Sequence, residues 1–540
     1  MNFIYRIYQQ HPLRVILAVA LVSRLMAAFF AEGYMMHDDH FLTIEPAASW
    51  ADGKNFNDWL PGIGNNREHP EPISFFYLGH LYILFKFFHA IGIEHPGHQM
   101  LLIRIIHALY SLLSVYLVYR ITQKISDRNN ANITGWLMAT IAILPNFSVR
   151  NLVELVCMPP LLAGIYWIVK NTKINDLKKS ELRIKIPTLL TAAFLMGLAV
   201  GIRYQTGIFV AITGVMLGYY SGFRNFLIFG CTSAIAFTFT QADDILLWGG
   251  QPFQHLQGYF AYNQQNAMNY PGSSLAYASF ISIFILPPIS LFLLFGFLKS
   301  YRRYAFLFYP TLAFLLFHFV FPNKQERFIL PALPFFVILG TIGWKHFMSA
   351  QNMNSAWQRI NTYGWRIFGF INILAMLIFA VTYSKKSRVE AMLYLYERHN
   401  CKNFVLEFTH KDKAAMLPQF YSGIWDNYYS WDKTTNTTDI ITNFSDVEKI
   451  SQGSMHEMDV PNYYIFFDKD NLEERVNRIK NIFPSLTFRA KIEAGWFDVI
   501  LNHLNPLNSL EEFYIYEVTE INDLTFDTYS PRLALANQEK

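Results

Sequence analysis

Charge is scarce in this chain. Asp, Glu, Lys and Arg make up only 16% of its 540 residues, where a soluble globular protein carries about 25%. That shortfall argues against a soluble globular chain and for a membrane class. Cysteine is thin as well. Cys157, Cys231 and Cys401 show no CxxC spacing, so neither a metal framework nor a disulfide scaffold follows. Histidines are numerous, but His37, His40, His69, His80, His107, His255 and His318 form no HExxH or similar pattern. Metal ligation is therefore the weaker reading, and no metal or cofactor is implied. The net charge of +4 is not gathered into a basic tract, so nucleic acid is not an expected partner. No internal repeat stands out. No small-residue cleavage site follows the apolar run Leu13–Phe30, and further apolar spans come after it. It reads as a retained first helix rather than a signal peptide.

What fills the chain instead is apolar: 52% hydrophobic and 17% aromatic residues. A helix needs about 20 mostly apolar residues to cross the hydrocarbon. Candidate spans are 13–31, 101–119, 132–149, 152–169, 187–201, 206–221, 225–241, 276–297, 303–320, 329–344 and 366–383. Those at 187–201 and 329–344 are short, as expected of tilted or broken helices or helices lined by protein. The basic connections are Arg120–Asn130, Lys170–Lys185, Ser221–Asn225, Lys299–Arg303 and Lys345–Arg366. The positive-inside rule assigns all of them to the cytoplasm. Eleven crossings with a cytoplasmic N-terminus satisfy that assignment. Counting 73–91 as a twelfth would reverse every later loop, so it reads as an interfacial or re-entrant helix within a large outer loop, 32–100. The outer face then also carries 242–275, Phe321–Phe328 and everything after 383. The expected fold is an α-helical polytopic membrane protein, residues 1–383, followed by a small extracytoplasmic α/β domain, 384–540. In that domain Cys401–Phe408, Asn462–Phe467 and Phe513–Val518 read as strands and Asn471–Ile479 as a helix. The tail lacks a glycine-rich phosphate loop and a His/Cys cluster, which suits structural support or acceptor recognition.

The polar residues able to do chemistry fall almost entirely in the outer loops. His37-Asp38-Asp39-His40 ends the first span, and Glu45 and Asn57-Asp58-Trp59 follow. A carboxylate near lipid has its pKa raised by desolvation, which suits a general base. Neighbouring aspartates do not both face one point, so one is expected to serve the reaction and the other a partner: Arg67, His37 or His40. A solvated, helix-capping acidic loop is the bland alternative. Lys324-Gln325-Glu326-Arg327-Phe328 places cations between two spans on the otherwise non-basic side. Arg327 offers a planar fork to a phosphate and Lys324 a mobile point charge; pairing of Arg327 with Glu326 is the alternative. Arg203, at the junction of two short spans, has the same choice. Arg150 and Glu154 are spaced to pair on one helix face. Between residues 241 and 276, aromatics stand beside amides, and Tyr262-Asn263 is a candidate for stacking on and bonding to a sugar.

In this order, these residues resemble the Alg9-like mannosyltransferase family (glycosyltransferase family 22, of the GT-C type). That family carries Pro-Asp-Glu after its first helix and a Glu seven residues beyond the Asp; here stand His37-Asp38-Asp39 and Glu45. Its Trp-Glu-Trp is matched by Asn57-Asp58-Trp59, its Arg-Pro-Thr by Arg203-Tyr204-Gln205, and its long-loop Tyr-Asn by Tyr262-Asn263. Its His-Lys-Glu-x-Arg-Phe and proline pair are matched by Asn323-Lys324-Gln325-Glu326-Arg327-Phe328, Pro331 and Pro334. Asn323, Gln325 and Tyr204 depart from the pattern and leave the acceptor open. The polar C-terminal domain suggests a bacterial relative.

The resemblance implies an inverting glycosyltransferase that moves mannose from a polyprenyl-phosphate donor to a glycan or glycolipid acceptor. The chemistry would lie on the outer face of a bacterial inner membrane. Asp38, Asp39 and Glu45 are then the candidate catalytic carboxylates. Arg327, Lys324 and Arg203 are the donor-phosphate ligands. Asp58, Trp59, Tyr262, Asn263 and Glu326 are the sugar or acceptor contacts. A transporter or flippase of lipid-linked sugars is the competing reading, but it predicts charged residues near the bilayer midplane in paired inverted segments. A non-catalytic scaffold is a third, and it leaves the outer carboxylates and arginines without a purpose.

Overall fold

Helices dominate because the apolar runs are long and contain few residues that compete for backbone hydrogen bonds. The structure, a computed structural model, describes residues 2–55, 73–247, 249–268, 277, 285–351, 356–408, 416–425, 428–432, 437–441, 461–506, 508 and 510–519. Among these, six helices are long and apolar enough to cross a membrane: Pro12–Phe30, Pro96–Ile125, Val153–Asn171, Phe223–Leu246, Glu326–Ser349 and Ala356–Ala380. Shorter apolar helices are Ile186–Ile202, Thr206–Ser221, Ile289–Lys299 and Ala305–Val320. The chain is a polytopic membrane protein. It divides into two units: Met1–Ala31, Arg67–His80 and Leu101–Val381 form the first, and Glu32–Asn66, Leu81–Met100 and Thr382–Lys540 the second.

In the first unit, prolines sit in the opening turn of several helices, among them Pro12, Pro187 and Pro334, where their missing N–H is no loss. The expected span 132–149 is broken. A helix runs Arg128–Thr140, Ile141 turns extended, and a single turn resumes at Leu144–Phe147 with Pro145 in it. A break in an apolar layer exposes carbonyls that no water can satisfy. Arg24 answers part of this need: Nη2 donates to Met138 O at 3.0 Å and Nη1 to Ala139 O at 3.2 Å. Asn372 answers the rest, donating to Thr140 O at 2.6 Å and accepting from Ala142 N at 2.9 Å. Elsewhere close packing relies on small residues. A Cβ on Gly296 would collide with the Gly340 carbonyl, so helices Ile289–Lys299 and Leu333–Ser349 touch backbone to backbone. Ser300 Oγ adds a bond to Leu339 O across the same contact at 2.9 Å.

The second unit holds a six-stranded sheet: β1 (Phe404–Phe408), β2 (Tyr428–Asp432), β3 (Thr437–Ile441), β4 (Tyr463–Phe467), β5 (Leu486–Ile492) and β6 (Phe513–Val518). The order is β3-β2-β1-β4-β6-β5. β1 lies parallel to β2 and β4, and the remaining pairs are antiparallel. Central β1 and β4 are buried on both faces at Phe404, Val405, Leu406, Tyr463, Tyr464 and Ile465, which is why each reads as an unbroken apolar run rather than an alternation. Helix Leu472–Ile482 is tied to the sheet by Arg475, which pairs with Glu407 of β1. The strand expected from Cys401 begins only at Phe404, because Asn403 turns its side chain onto the Phe404 amide at 2.7 Å. Helix Lys386–Arg398 is fixed by Arg388, whose fork grips Glu511 at 2.6 and 2.7 Å.

Candidate active site

The first unit brings together two arginines and one carboxylate from three distant stretches of sequence. Helix Ile186–Ile202 ends at Arg203 in extended backbone. Thr206, opening the next helix, closes the turn by donating from Oγ1 to Arg203 O at 2.8 Å. Glu154 lies in the first turn of the helix starting at Val153. Arg327 lies in a 3-10 turn, Glu326–Ala332. Pro331, inside this turn, removes a donor that a regular α-helix would need there. The three side chains meet: Arg203 Nη1 is 2.6 Å and Arg327 Nε 3.5 Å from the same Glu154 Oε1. Arg203 and Glu154 are only 5% and 3% exposed. Both guanidiniums also lie over the Phe328 ring, at 5.2 and 5.6 Å from its centroid, a cation–π contact that favours positive charge in a dry place.

Both guanidiniums thus face the same Glu154 oxygen. Arg203 Nε and Nη2 are buried with no hydrogen-bond partner among the described residues. A planar guanidinium edge so placed is suited to an oxyanion that accepts through two of its oxygens, such as a phosphate. Tyr259 borders the cluster. Its hydroxyl contacts Gln205 Nε2. Burial pushes its pKa up to about 12, opposed by Arg203 and reinforced by Glu154, so it remains a neutral hydrogen-bonding group. Lys324 is half-buried and donates from Nζ to Phe321 O at 2.5 Å. Glu326 is half-buried in the first turn of the 3-10 segment.

The sequence spacing of Arg150 and Glu154 misleads. Arg150 precedes the helix that begins at Val153, so the two do not share a helical face. Arg150 Nε donates to Asn146 Oδ1 at 3.3 Å, while Glu154 serves Arg203 and Arg327. Glu154 was nonetheless visible as a lone carboxylate inside the apolar run Leu152–Val156, a placement that is costly without a partner. Tyr262 is exposed on the helix Gln254–Gln265, and Asn263 Nδ2 donates to Tyr259 O at 2.8 Å. Asp58 and Trp59 lie outside the described residues.

The acidic loop belongs to the second unit. Asp39 is buried and holds its own loop closed, accepting from Met35 N and Met36 N, each at 3.2 Å. Glu45 is fully buried on helix Ile44–Ala51. It bonds His40 Nε2 at 2.9 Å and accepts the Phe420 amide on both oxygens at 3.1 Å. Burial raises the Glu45 carboxyl pKa against the opposing pull of His40 and the Phe420 amide. His40 is stacked between Tyr34, 5.0 Å away, and Tyr421, 5.5 Å away. Asp38 is half-buried, and its neighbour His37 is exposed.

A bundle of apolar helices together with a small α/β sheet is the fold of GT-C type membrane glycosyltransferases. The structure of ArnT from Cupriavidus metallidurans bound to undecaprenyl phosphate is similar, with a TM-score of 0.54 at 10% identity over 94% of this chain and 98% of that one. ArnT in the apo state is similar to the same degree, with a TM-score of 0.55 at 10% identity over 93% and 97%. At that identity the likeness concerns the fold. No curated protein sequence matches the chain. Residues 15–415 match the Alg9-like mannosyltransferase family, and the chain belongs to that family.

Proposed function

We propose that this protein is an inverting glycosyltransferase. It moves a mannosyl group from a polyprenyl-phosphate carrier to a hydroxyl of a glycan or glycolipid acceptor, at the outer face of a bacterial inner membrane. The observation that carries the reading is the buried edge of Arg203, Nε and Nη2, which has no hydrogen-bond partner among the described residues and lies in a cluster with Glu154 and Arg327. A lipid-borne phosphate would fill that edge. ArnT, a protein of the same fold, has been captured with undecaprenyl phosphate, which supports a carrier of that chemical class here.

In the proposed reaction, an acceptor oxygen attacks the anomeric carbon from the face opposite the carrier phosphate. The new C–O bond forms as the bond from the anomeric carbon to the phosphate oxygen breaks, so configuration inverts. Asp38 takes the acceptor's proton. Among the three candidate carboxylates it is the one not buried, whereas Asp39 and Glu45 accept backbone amides of their own unit. Negative charge grows on the departing phosphate monoester, and Arg203 and Arg327 stabilise it, with Lys324 as an added point charge. Preorganised charge of this kind is often the largest contribution to rate.

The test uses the purified full-length protein in sealed proteoliposomes, given polyprenyl-phosphate mannose labelled in the sugar together with lipid-linked glycan. Label on the acceptor, with polyprenyl phosphate released only when acceptor is present, is the expected result. Movement of the label across the bilayer with the sugar–phosphate bond intact would instead make the chain a carrier.

A further inference from the structure

The first unit holds a second buried polar group that the mechanism above does not use. The helix Phe223–Thr240 ends at Gln241, and a short helix, Ala242–Leu246, follows. Gln241 and Asp244 are 1% and 2% exposed. Asp244 accepts from His255 through Oδ1 at 2.8 Å. The Phe75 ring packs on the His255 ring at 3.9 Å and holds it in place. The second oxygen, Asp244 Oδ2, and the amide oxygen Gln241 Oε1 have no partner among the described residues. The Gln241 amide nitrogen is engaged, donating to Thr240 Oγ1 at 2.9 Å.

Two buried acceptors close together in the chain, each without a hydrogen-bond partner among the described residues, call for donors; the Tyr204 hydroxyl lies beside Gln241 and Asp244 and can serve only one of them. Cations are a poor match, because no group of three or more His, Cys, Asp or Glu able to hold a metal occurs among the described residues. Hydroxyl groups fit both. The helix Gln254–Gln265 relates this pair to the arginines: His255 and Tyr259 are four residues apart on it. His255 faces Asp244, and Tyr259 contacts Gln205, two residues from Arg203. Four residues of helix rise about 6 Å, the scale of one pyranose ring beyond its anomeric phosphate.

We propose that Asp244 Oδ2 and Gln241 Oε1 accept hydroxyl groups of the donor sugar and select which hexose the enzyme transfers, with His255 as a positioning residue for Asp244. The proposal rests on the reading of the arginine cluster as the carrier-phosphate site. It differs from the Tyr262-Asn263 expectation in placing sugar recognition on buried acceptors rather than on an exposed aromatic.

The experiment compares polyprenyl-phosphate mannose with its singly deoxygenated analogues as donors for the full-length protein, for Asp244→Asn and for Gln241→Leu. In the wild type, one or two of the analogues should lose transfer by about 10²-fold or more, because the acceptors they leave unpaired are buried. Each variant should shrink the penalty for one particular analogue to a few-fold while its affinity for sugar-free polyprenyl phosphate stays within about twofold of wild type. Variants that discriminate among the analogues as the wild type does would overturn the proposal and leave the carrier-phosphate reading standing. A wild type that binds no polyprenyl phosphate would overturn that reading itself. If Asp244→Asn does not fold, Gln241→Leu carries the same comparison.

Discussion

Arg203 Nη1 and Glu154 Oε1 stand 2.6 Å apart as a buried ion pair, and the remaining edge of the guanidinium, Nε and Nη2, has no hydrogen-bond partner among the described residues. An ion pair that existed for stability alone would fill both nitrogens, because an unused buried donor costs about 1–3 kcal/mol. The open edge is what a site keeps for a ligand.

Replacing Arg203 or Arg327 by Lys keeps the charge but loses the planar fork and its stacking on Phe328. Transfer should fall by about 10²–10³-fold for either substitution. Initial rates at saturating donor measure it. Full activity in both lysine variants would mean that a point charge suffices.

Glu154→Gln should destabilise the ligand-free protein, because two buried guanidiniums lose their shared anion; breaking a buried pair costs about 3–5 kcal/mol. Added polyprenyl phosphate should then raise the Tm of the variant more than that of the wild type, since the ligand now supplies charge the protein lacks. Thermal unfolding with and without the lipid gives both numbers, and equal ligand-induced shifts would count against the charge argument.

Asp38→Asn should lower turnover by about 10²–10⁴-fold and leave binding of polyprenyl phosphate intact. A near-normal rate would remove Asp38 as the base. The same substitution at Asp39 should act chiefly on stability, because Asp39 accepts the Met35 and Met36 amides.

Much of this was legible in the chain, for a physical reason. Membrane spans announce themselves by length and apolarity, so the helices Pro12–Phe30, Thr206–Ser221 and Ala305–Val320 fall close to their expected limits. The apolar strands Tyr463–Phe467 and Phe513–Val518 were equally plain. The break after Thr140 was not, because its cause lies elsewhere: Arg24 and Asn372, remote in sequence, satisfy the freed backbone groups. The site shows the same division. Arg203 and Arg327 stood out as cations at helix ends, but their common partner Glu154 looked like a partner for Arg150. The Asp244–His255 pair spans a turn and two helices, and spacing alone does not reveal it.

Acidity should loosen the second unit through Glu511. Burial alone would raise its carboxyl, but Arg388 outweighs that and holds it below the ordinary 4.5. The folded pKa is therefore below the unfolded one. The pair's contribution is complete above about pH 4.5 and is lost as pH falls through the lower folded value. Protection factors for hydrogen exchange at Phe513–Val518 should fall in that acid range, and Glu511→Gln should flatten the dependence. Identical acid profiles for the variant and the wild type would argue that this pair does not govern acid sensitivity.

The central claim is that Arg203 and Arg327 hold the carrier phosphate, and a structure of the protein with polyprenyl phosphate bound tests it most directly. Phosphate oxygens about 3 Å from Arg203 Nε or Nη2, with Arg327 also in contact, are the expected result. Phosphate ordered at another place, with the Arg203 edge still empty, would contradict it.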